Sequence, residues 1–528
     1  MAGADLSFWL KWVAEWQAGG INTAIVCPGS RSSPLVQALI TTGWHLYSCV
    51  DERSAGYQAL GMAQALGRPV VVVTTSGTAA ANLAPAMAEA FFSRIPLVAW
   101  TADRPPEWIG QEDNQAIHQP GLFGPHTIGD WNLPLVDEDS ARQWHAERCA
   151  REARKALRQT PTGPVHLNIP FREPLYTSPS TRENHPVGSW ASEALSSQDS
   201  IDFSQFKRPL LLNGQAHFGN AIAMPEHGIG EVLSSHPIRL TSEAWLPELV
   251  ANPELRPDLI VTTGGAFVSK SLRSELRKWS FTHAHVGPTS AEVFCRPVEA
   301  ISPETIAGFE LSIWDPILEN ARLKLQKTWE ADVSLEFAAV RHMVESLPAK
   351  SHVHLGNSLT IRIASLLPHI PSEVRFWCNR GTSGIDGSLS TAVGHALASP
   401  DQQHIAIIGD QSFFYDRNAL WRDKLPSNLR VVVLNNHEGA IFRALDGPTY
   451  WQDDLRFWTT PHKRTAEFTA RDHGLHYHSA QTIADLEGVW KSLRNESGCG
   501  LLEIFTDAAE TAADFRRILS SLRKSETV

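Results

Sequence analysis

HIAIIGDQSFFYDRNALW (404–421) and the run that follows it, RVVVLNN (430–436), decide the fold. Each opens on apolar residues with no polar alternation, the pattern of a strand buried on both faces in a parallel sheet. The first run ends at Gly409-Asp410 and the second at Asn435-Asn436. Asp410 and Asn436 stand 26 residues apart, the length of one strand–helix–strand unit. Two neighbouring strand ends would then present a carboxylate and an amide oxygen side by side. Hard oxygen ligands of this kind suit Mg²⁺, which takes its remaining ligands from phosphate and water. Taken singly, each has a plainer reading: Asp410 as a helix cap and Asn435-Asn436 as a turn. The spacing favours a metal–diphosphate site.

The same rhythm extends outward in both directions. Toward the C-terminus, His352–Leu355, Arg375–Cys378, His404–Ile408, Arg430–Leu434 and Leu501–Phe505 read as strands. Near the N-terminus, residues 6–17 place Leu6, Trp9, Leu10, Val13 and Trp16 on one helical stripe that Gly19-Gly20 ends. Ile21–Val26, Leu46–Val50, Val70–Thr75 and Leu97–Thr101 read as strands, with helices over Ala55–Leu66 and Thr78–Phe92. Ser33-Pro34 reads as an N-cap followed by proline at the first helical position. Between these blocks lie strands at Pro209–Leu212 and Leu259–Thr263, after a polar linker, Thr177–Ser200. The expectation is three doubly wound α/β parallel-sheet domains over residues 1–180, 181–340 and 341–528.

Composition narrows the class. The 528 residues carry 46 Lys and Arg against 57 Asp and Glu, a formal charge of −11. A nucleic-acid binder needs a basic face and a membrane-surface protein a polybasic segment, so neither partner is expected. The six cysteines are scattered without a C-x-x-C pair, as in a reducing compartment. No window of about 18 apolar residues suggests a membrane span, and Asp5 and Lys11 argue against a secretory signal. A cytoplasmic enzyme is the expectation. The His-x-His pairs at 283/285, 352/354 and 476/478 have no third ligand at zinc-site spacing. Gly264-Gly265 follows a strand without the rest of a dinucleotide fingerprint, so the middle block reads as a cofactor-free domain.

The Asp410/Asn436 spacing resembles the thiamine-diphosphate signature. Further stretches sharpen that resemblance to one family: CPGSRSSPL (27–35), TSGTAAANLAPAMAEA (75–90) and TADRPPEWIGQEDNQAIHQPGLFG (101–124), with GNSLTIR (356–362), NRGTSGIDGSLSTAVG (379–394) and GDQSFFYDRNALW (409–421). They resemble the 2-succinyl-5-enolpyruvyl-6-hydroxy-3-cyclohexene-1-carboxylate synthases of menaquinone biosynthesis, densely in the outer blocks and thinly in the middle one. The resemblance implies a thiamine-diphosphate-binding fold with an N-terminal pyrimidine domain, a central Rossmann-like domain and a C-terminal diphosphate domain. It implies decarboxylation of 2-oxoglutarate and addition of the resulting succinyl carbanion to isochorismate, with thiamine diphosphate and Mg²⁺ or Mn²⁺ as cofactors.

The resemblance also implies residue roles. Asp410, Asn436 and the main chain of Glu438 hold the cation. Glu52 activates the cofactor by bonding its aminopyrimidine nitrogen, and Ile385 supports its bent shape. Ser383, Gly384, Gly409, Gln411, Ser412, Ile441 and Phe442 complete the cofactor site. Ser358 and Arg362 bind the distal carboxylate of 2-oxoglutarate. Ser30, Arg31, Arg104, Asn114, Gln115 and Lys270 receive isochorismate, and Arg31, Gln115 and Arg380 join Glu52 at the chemistry. Both substrates are dicarboxylates, which arginine suits. A homodimer or homotetramer with active sites at the subunit interface is implied.

Two departures from the family pattern stand out. Ser271 follows Lys270 where a second basic residue is common, and His437-Glu438-Gly439 follows Asn436 where glycines are common. Rival readings are a different thiamine carboligase acting on small apolar keto acids, against which Arg362 speaks, and a non-catalytic binding protein, against which intact Glu52, Asp410 and Asn436 speak. Asp103-Arg104 has the plainer reading of a surface ion pair.

Overall fold

A computed structural model describes residues 6–176, 185–191, 201, 203–215, 228–287, 292–302, 306 and 312–524. Its strands form three sheets, every pairing parallel. The first contains β1 (Thr23–Val26), β2 (His45–Ser48), β3 (Val70–Thr74), β4 (Leu97–Asp103), β5 (Gly129–Asn132) and β6 (Val165–Pro170) in the order β2-β1-β3-β4-β6-β5. The second contains β7 (Pro209–Asn213), β8 (Ile229–Gly230), β9 (Leu259–Thr263), β10 (Thr282–Val286) and β11 (Glu299–Ile301) in the order β11-β10-β9-β7-β8. The third contains β12 (His352–Leu355), β13 (Arg375–Trp377), β14 (His404–Gly409), β15 (Leu429–Asn435), β16 (His476–Ala480) and β17 (Gly500–Phe505) in the order β13-β12-β14-β15-β17-β16. The outer sheets thus repeat one topology, with the order reversing beside the first strand of each. In open sheets of this kind the crevice outside the carboxyl ends at that reversal is where ligands bind.

By contacts the chain divides into two compact units: Met1–Ala194 with Asn379–Pro400 and Asp416–Pro426, and Leu195–Cys378 with Asp401–Tyr415 and Ser427–Val528. The first unit has a core of its own in which the helix α1 (Leu6–Ala18) buries Trp9, Trp12 and Trp16. Their rings pack edge-on or tilted with one another and with Trp100 of β4. The second unit's core joins the apolar faces of the second and third sheets.

Several local expectations need correction. Helix α2 (Ser33–Thr41) is capped by Ser32, not Ser33, and no side-chain bond closes the cap. Helix α3 begins at Glu52 and runs to Leu66, earlier than its apolar stripe suggested. The single helix expected over 78–92 is two, α4 (Thr78–Ala81) and α5 (Ala84–Phe92), because Pro85 cannot continue the preceding hydrogen-bond ladder. Most of the expected linker lies outside the described residues, but its 185–191 portion docks on the first unit. There Gly188 N–H donates to Gln17 O at 3.1 Å, and the Arg158 guanidinium lies over the Trp190 ring.

Candidate active site

Each compact unit carries a set of the expected residues at its strand ends. In the first unit, β1 delivers Ser30 and Arg31, β2 leads to Glu52, and β4 delivers Arg104. Asp51 caps α3: one carboxylate oxygen accepts from Ser54 N–H at 3.2 Å and the other from Asn418 Nδ2 at 2.9 Å. This cap fixes Glu52 as the first helical residue. Burial pushes the half-buried Glu52 carboxyl up from the ordinary range; its own backbone bond opposes this, and the Asp51 charge adds to it. Ser30 is exposed, whereas Arg31 is buried and donates to Phe171 O at 3.0 Å and Glu173 Oε1 at 3.3 Å.

Arg104 does not pair with Asp103. Asp103 is buried and accepts from Asn168 Nδ2 at 2.8 Å and from Arg104 N–H at 2.7 Å, so the surface-pair reading fails. The Arg104 guanidinium instead grips the acceptor loop. Nε and Nη2 donate to Asn114 O at 2.9 and 2.7 Å, and Nε lies 3.3 Å from Asp113 Oδ2. Asn114 and Gln115 are exposed, and Gln115 takes φ of 54°. Gln119, not singled out from sequence, ties this loop down: fully buried, it donates to Ala102 O and Asn168 Oδ1 and accepts from Gly77 N–H at 2.8 Å. Arg380, Ser383, Gly384 and Ile385 lie together on one loop of this unit, and Ser383 takes φ of 62°.

In the second unit, β14 and β15 are adjacent, with Gly409 opposite Leu434, so Asp410 and Asn436 follow neighbouring strand ends. Asp410 is buried. Its Oδ1 accepts from Gln411 N–H at 2.6 Å; its Oδ2 has no hydrogen-bond partner. His462 Nε2 lies 3.3 Å from that oxygen without hydrogen-bonding geometry and is itself unsatisfied. A buried carboxylate oxygen left so is what a cation would complete. Asn436 Oδ1 accepts from Glu438 N–H at 3.2 Å, and Nδ2 donates to Glu336 Oε2 at 3.0 Å. The Glu438 side chain turns to Arg443, while its carbonyl accepts from Ala440 N–H at 3.1 Å. Gln411 donates to Thr459 O at 2.7 Å, Gly409 is half-buried, Ser412 and Ile441 are buried, and Phe442 is partly buried.

Glu336 is a second residue that sequence reading missed. It also accepts from Thr506 and Thr511, and burial holds its carboxyl above the ordinary range. The signal was present: Glu336 shares the buried face of its helix (Leu335–Glu345) with Val340, Met343 and Val344. Ser358 follows β12, which pairs with β14, and takes φ of 72°. It precedes rather than joins the helix Leu359–Ser365, and Arg362 Nη1 donates back to its carbonyl. Lys270 is exposed on the helix Lys270–Leu276 beside the second sheet. No hydrogen bond or ion pair among the described residues joins it to the other expected residues. Its neighbour Ser271 accepts from Arg523 Nη2 at 3.2 Å, so a basic group does reach that position, from the C-terminal helix Ala508–Arg523.

Among the described residues, non-glycine positive φ occurs at Gln115, Ser358, Ser383 and His437, alongside five other positions. All four belong to the strand-end loops singled out from sequence. Such backbone conformations persist where surrounding structure over-determines them, and they concentrate at functional sites. Of the His-x-His pairs, His283 and His285 share the Thr262 hydroxyl at 2.9 Å each, His354 meets His404 at 3.1 Å and His478 meets Glu496, while buried His352 stands with His395 and His404, their ring nitrogens within 4.8 Å of one another, a third ligand that the sequence spacing did not show and a group able to hold a metal ion.

Three parallel α/β sheets are the architecture of a thiamine-diphosphate enzyme. Residues 12–122 match the family described as "Thiamine pyrophosphate enzyme, N-terminal TPP binding domain". Proteins named 2-succinyl-5-enolpyruvyl-6-hydroxy-3-cyclohexene-1-carboxylate synthase are similar over nearly the whole length. That of Cytophaga hutchinsonii is 36% identical, covering 96% of this chain and 97% of the relative. That of Bacteroides thetaiotaomicron is 34% identical over 95% and 96%, and that of Desulfotalea psychrophila 34% over 93% and 96%. The chain belongs to the 2-succinyl-5-enolpyruvyl-6-hydroxy-3-cyclohexene-1-carboxylate synthase family.

Proposed function

We propose that this protein catalyses the thiamine-diphosphate-dependent decarboxylation of 2-oxoglutarate and the addition of the succinyl carbanion to isochorismate, in menaquinone biosynthesis. The observation that carries the residue assignments is the convergence at the strand ends: a buried, unsatisfied Asp410 oxygen and four strained loop residues fall where the family motifs fall. When bound, thiamine diphosphate supplies the carbon nucleophile that takes up the keto acid and stores the electron pair released with CO₂. Glu52, whose carboxyl burial pushes up from the ordinary range, would bond the aminopyrimidine nitrogen and relay its proton there. Asp410 Oδ2, Asn436 Oδ1 and the Glu438 carbonyl would hold Mg²⁺ or Mn²⁺, and Glu336 fixes the Asn436 amide.

Gly409, Gln411, Ser412, Ile441 and Phe442 line the diphosphate end, and Ser383, Gly384 and Ile385 the ring end. Ser358 and Arg362 take the distal carboxylate of 2-oxoglutarate, the guanidinium aimed by its bond to the Ser358 carbonyl. Arg31, Arg380, Ser30, Asn114, Gln115 and Lys270 receive isochorismate. Arg104 serves them by fixing the Asn114–Gln115 peptide. The domains are the three sheet-bearing blocks, 1–180, 181–340 and 341–528, and the enzyme works in the cytoplasm as a homo-oligomer. No helix among the described residues is long and apolar enough to cross a membrane. The test is CO₂ release from 2-oxoglutarate with and without isochorismate, cofactor and Mg²⁺. Fast release only when all are present supports the reading; equal turnover of pyruvate, or turnover without cofactor, overturns it.

A further inference from the structure

Glu89 lies on α5, among Ala86, Met87 and Ala90, and is 1% exposed. A carboxylate so buried persists only when its oxygens are fully bonded. Here both are. Oε1 accepts from Gly381 N–H at 2.9 Å and Ser93 Oγ at 2.7 Å. Oε2 accepts from Thr382 N–H at 2.7 Å and Thr382 Oγ1 at 2.8 Å. Three of the four donors belong to the loop that carries Arg380, Ser383, Gly384 and Ile385. A side chain at position 381 would lie 2.7 Å from Glu89 O and from Ser93 Oγ, so only glycine brings this backbone onto the carboxylate. The loop is anchored on either side as well. Asn379 Nδ2 donates to Thr391 Oγ1 at 3.0 Å, and Tyr57 OH donates to Asp386 Oδ2 at 2.7 Å. Yet Thr382, Ser383 and Ile385 remain exposed. A loop held this firmly from beneath, with its tip in the open, is built to present groups rather than to fill a core.

We propose that Glu89 is a positioning residue for the acceptor half of the reaction, fixing through its carboxylate the loop from which Arg380 acts. This rests on the reading above, in which Arg380 serves the isochorismate step. Glu89→Gln keeps the side chain's shape but turns an amide N–H₂ toward backbone donors, so one end of the grip is lost.

The test uses the full-length enzyme with cofactor and Mg²⁺. It compares wild type, Glu89→Gln, Arg380→Ala and the double variant for kcat and KM with each substrate. Glu89→Gln should lower kcat/KM for isochorismate by about tenfold or more and leave the KM for 2-oxoglutarate within about twofold. The double variant should lose less than the product of the two single losses, since Arg380 is one of the groups that Glu89 positions. Thr382→Val, which removes one donor at an exposed residue, should shift the same parameter in the same direction by a few-fold and decides the matter if Glu89→Gln does not fold. An isochorismate kcat/KM within twofold of wild type in Glu89→Gln, or losses that multiply in the double variant, overturns the proposal. If wild type shows no isochorismate-dependent turnover, the functional reading itself has failed, and this inference with it.

Discussion

Glu52 and Arg362 are the two side chains on which the proposed chemistry makes opposite demands. Glu52 has to hold a proton, and burial beside the Asp51 charge raises its affinity for one. Glu52→Gln keeps the helix cap and the cofactor's contacts but cannot exchange that proton. It should bind thiamine diphosphate normally and lose at least roughly 100-fold in kcat, the scale of a lost general acid–base. Binding and turnover measured on the same preparation check this, and full activity in the variant would falsify the assignment. Arg362 has to hold a fixed charge. Arg362→Ala should lose about 2–3 kcal/mol in kcat/KM for 2-oxoglutarate, roughly 30- to 150-fold, as expected for a charged hydrogen-bonded pair. Pyruvate lacks the distal carboxylate, so its turnover should change little and discrimination should shrink. Both proposed roles rest on motif spacing, which the linear sequence carries. Gln119, Glu336 and Glu89 were not legible there, since each acts through a partner distant in the chain.

Helix α3 and the helix Ser388–Ala398 show what the linear pattern conceals. Gly61 and Gly394 bring their backbones into contact: a Cβ on the first would lie 2.1 Å from Thr391 O, and on the second 1.9 Å from Gln58 O. Across the seam runs an oriented chain of hydrogen bonds. Arg422 Nη1 donates to Gln58 Oε1, Gln58 Nε2 to Ser54 Oγ, and Ser390 Oγ to Asp416 Oδ1. Ser54 and Ser390 join their hydroxyls at 2.9 Å. Asp416 is fully buried, and burial pushes its carboxyl up to about 7, against the pull of the Ser390 bonds. Unfolded, the same carboxyl titrates near 4. The folded state therefore binds the extra proton between about pH 4 and 7, and Asp416's contribution to stability falls as pH rises through that window. Asp416→Asn should be less sensitive: its denaturation midpoint should fall less between pH 5 and 8 than that of wild type. Equal pH slopes in the two proteins would sink the idea. Apolar runs announced the strands, but β5 and β16, polar edge strands such as GDWN and HYHSA, gave no such signal.

At the scale of the molecule, the two outer sheets repeat one strand order, and the residues proposed for the cofactor are divided between them. Glu52 and the loop of Arg380 belong to one compact unit, Asp410 and Asn436 to the other, and each unit has a core of its own. The second unit also leaves large aromatics in the open shortly after the Asn436 loop: Tyr450 is 81% exposed and Phe457 70%, with Trp451 beside them. A second copy of the chain is the partner that the family resemblance implies, with the ring end of the cofactor held by one subunit and its diphosphate end by the other. Complementation tests this directly. Glu52→Gln and Asp410→Ala should each be nearly inactive alone. Mixed at equal concentration under conditions of subunit exchange, they should form hybrids in which one of two sites carries both intact residues, so activity should return to roughly a quarter of wild type when half the molecules are hybrid. Sedimentation of the wild-type enzyme should show a dimer or a dimer of dimers. An active monomer, or a mixture that stays as inactive as its components while exchange is seen to occur, would place both residues in one subunit's site.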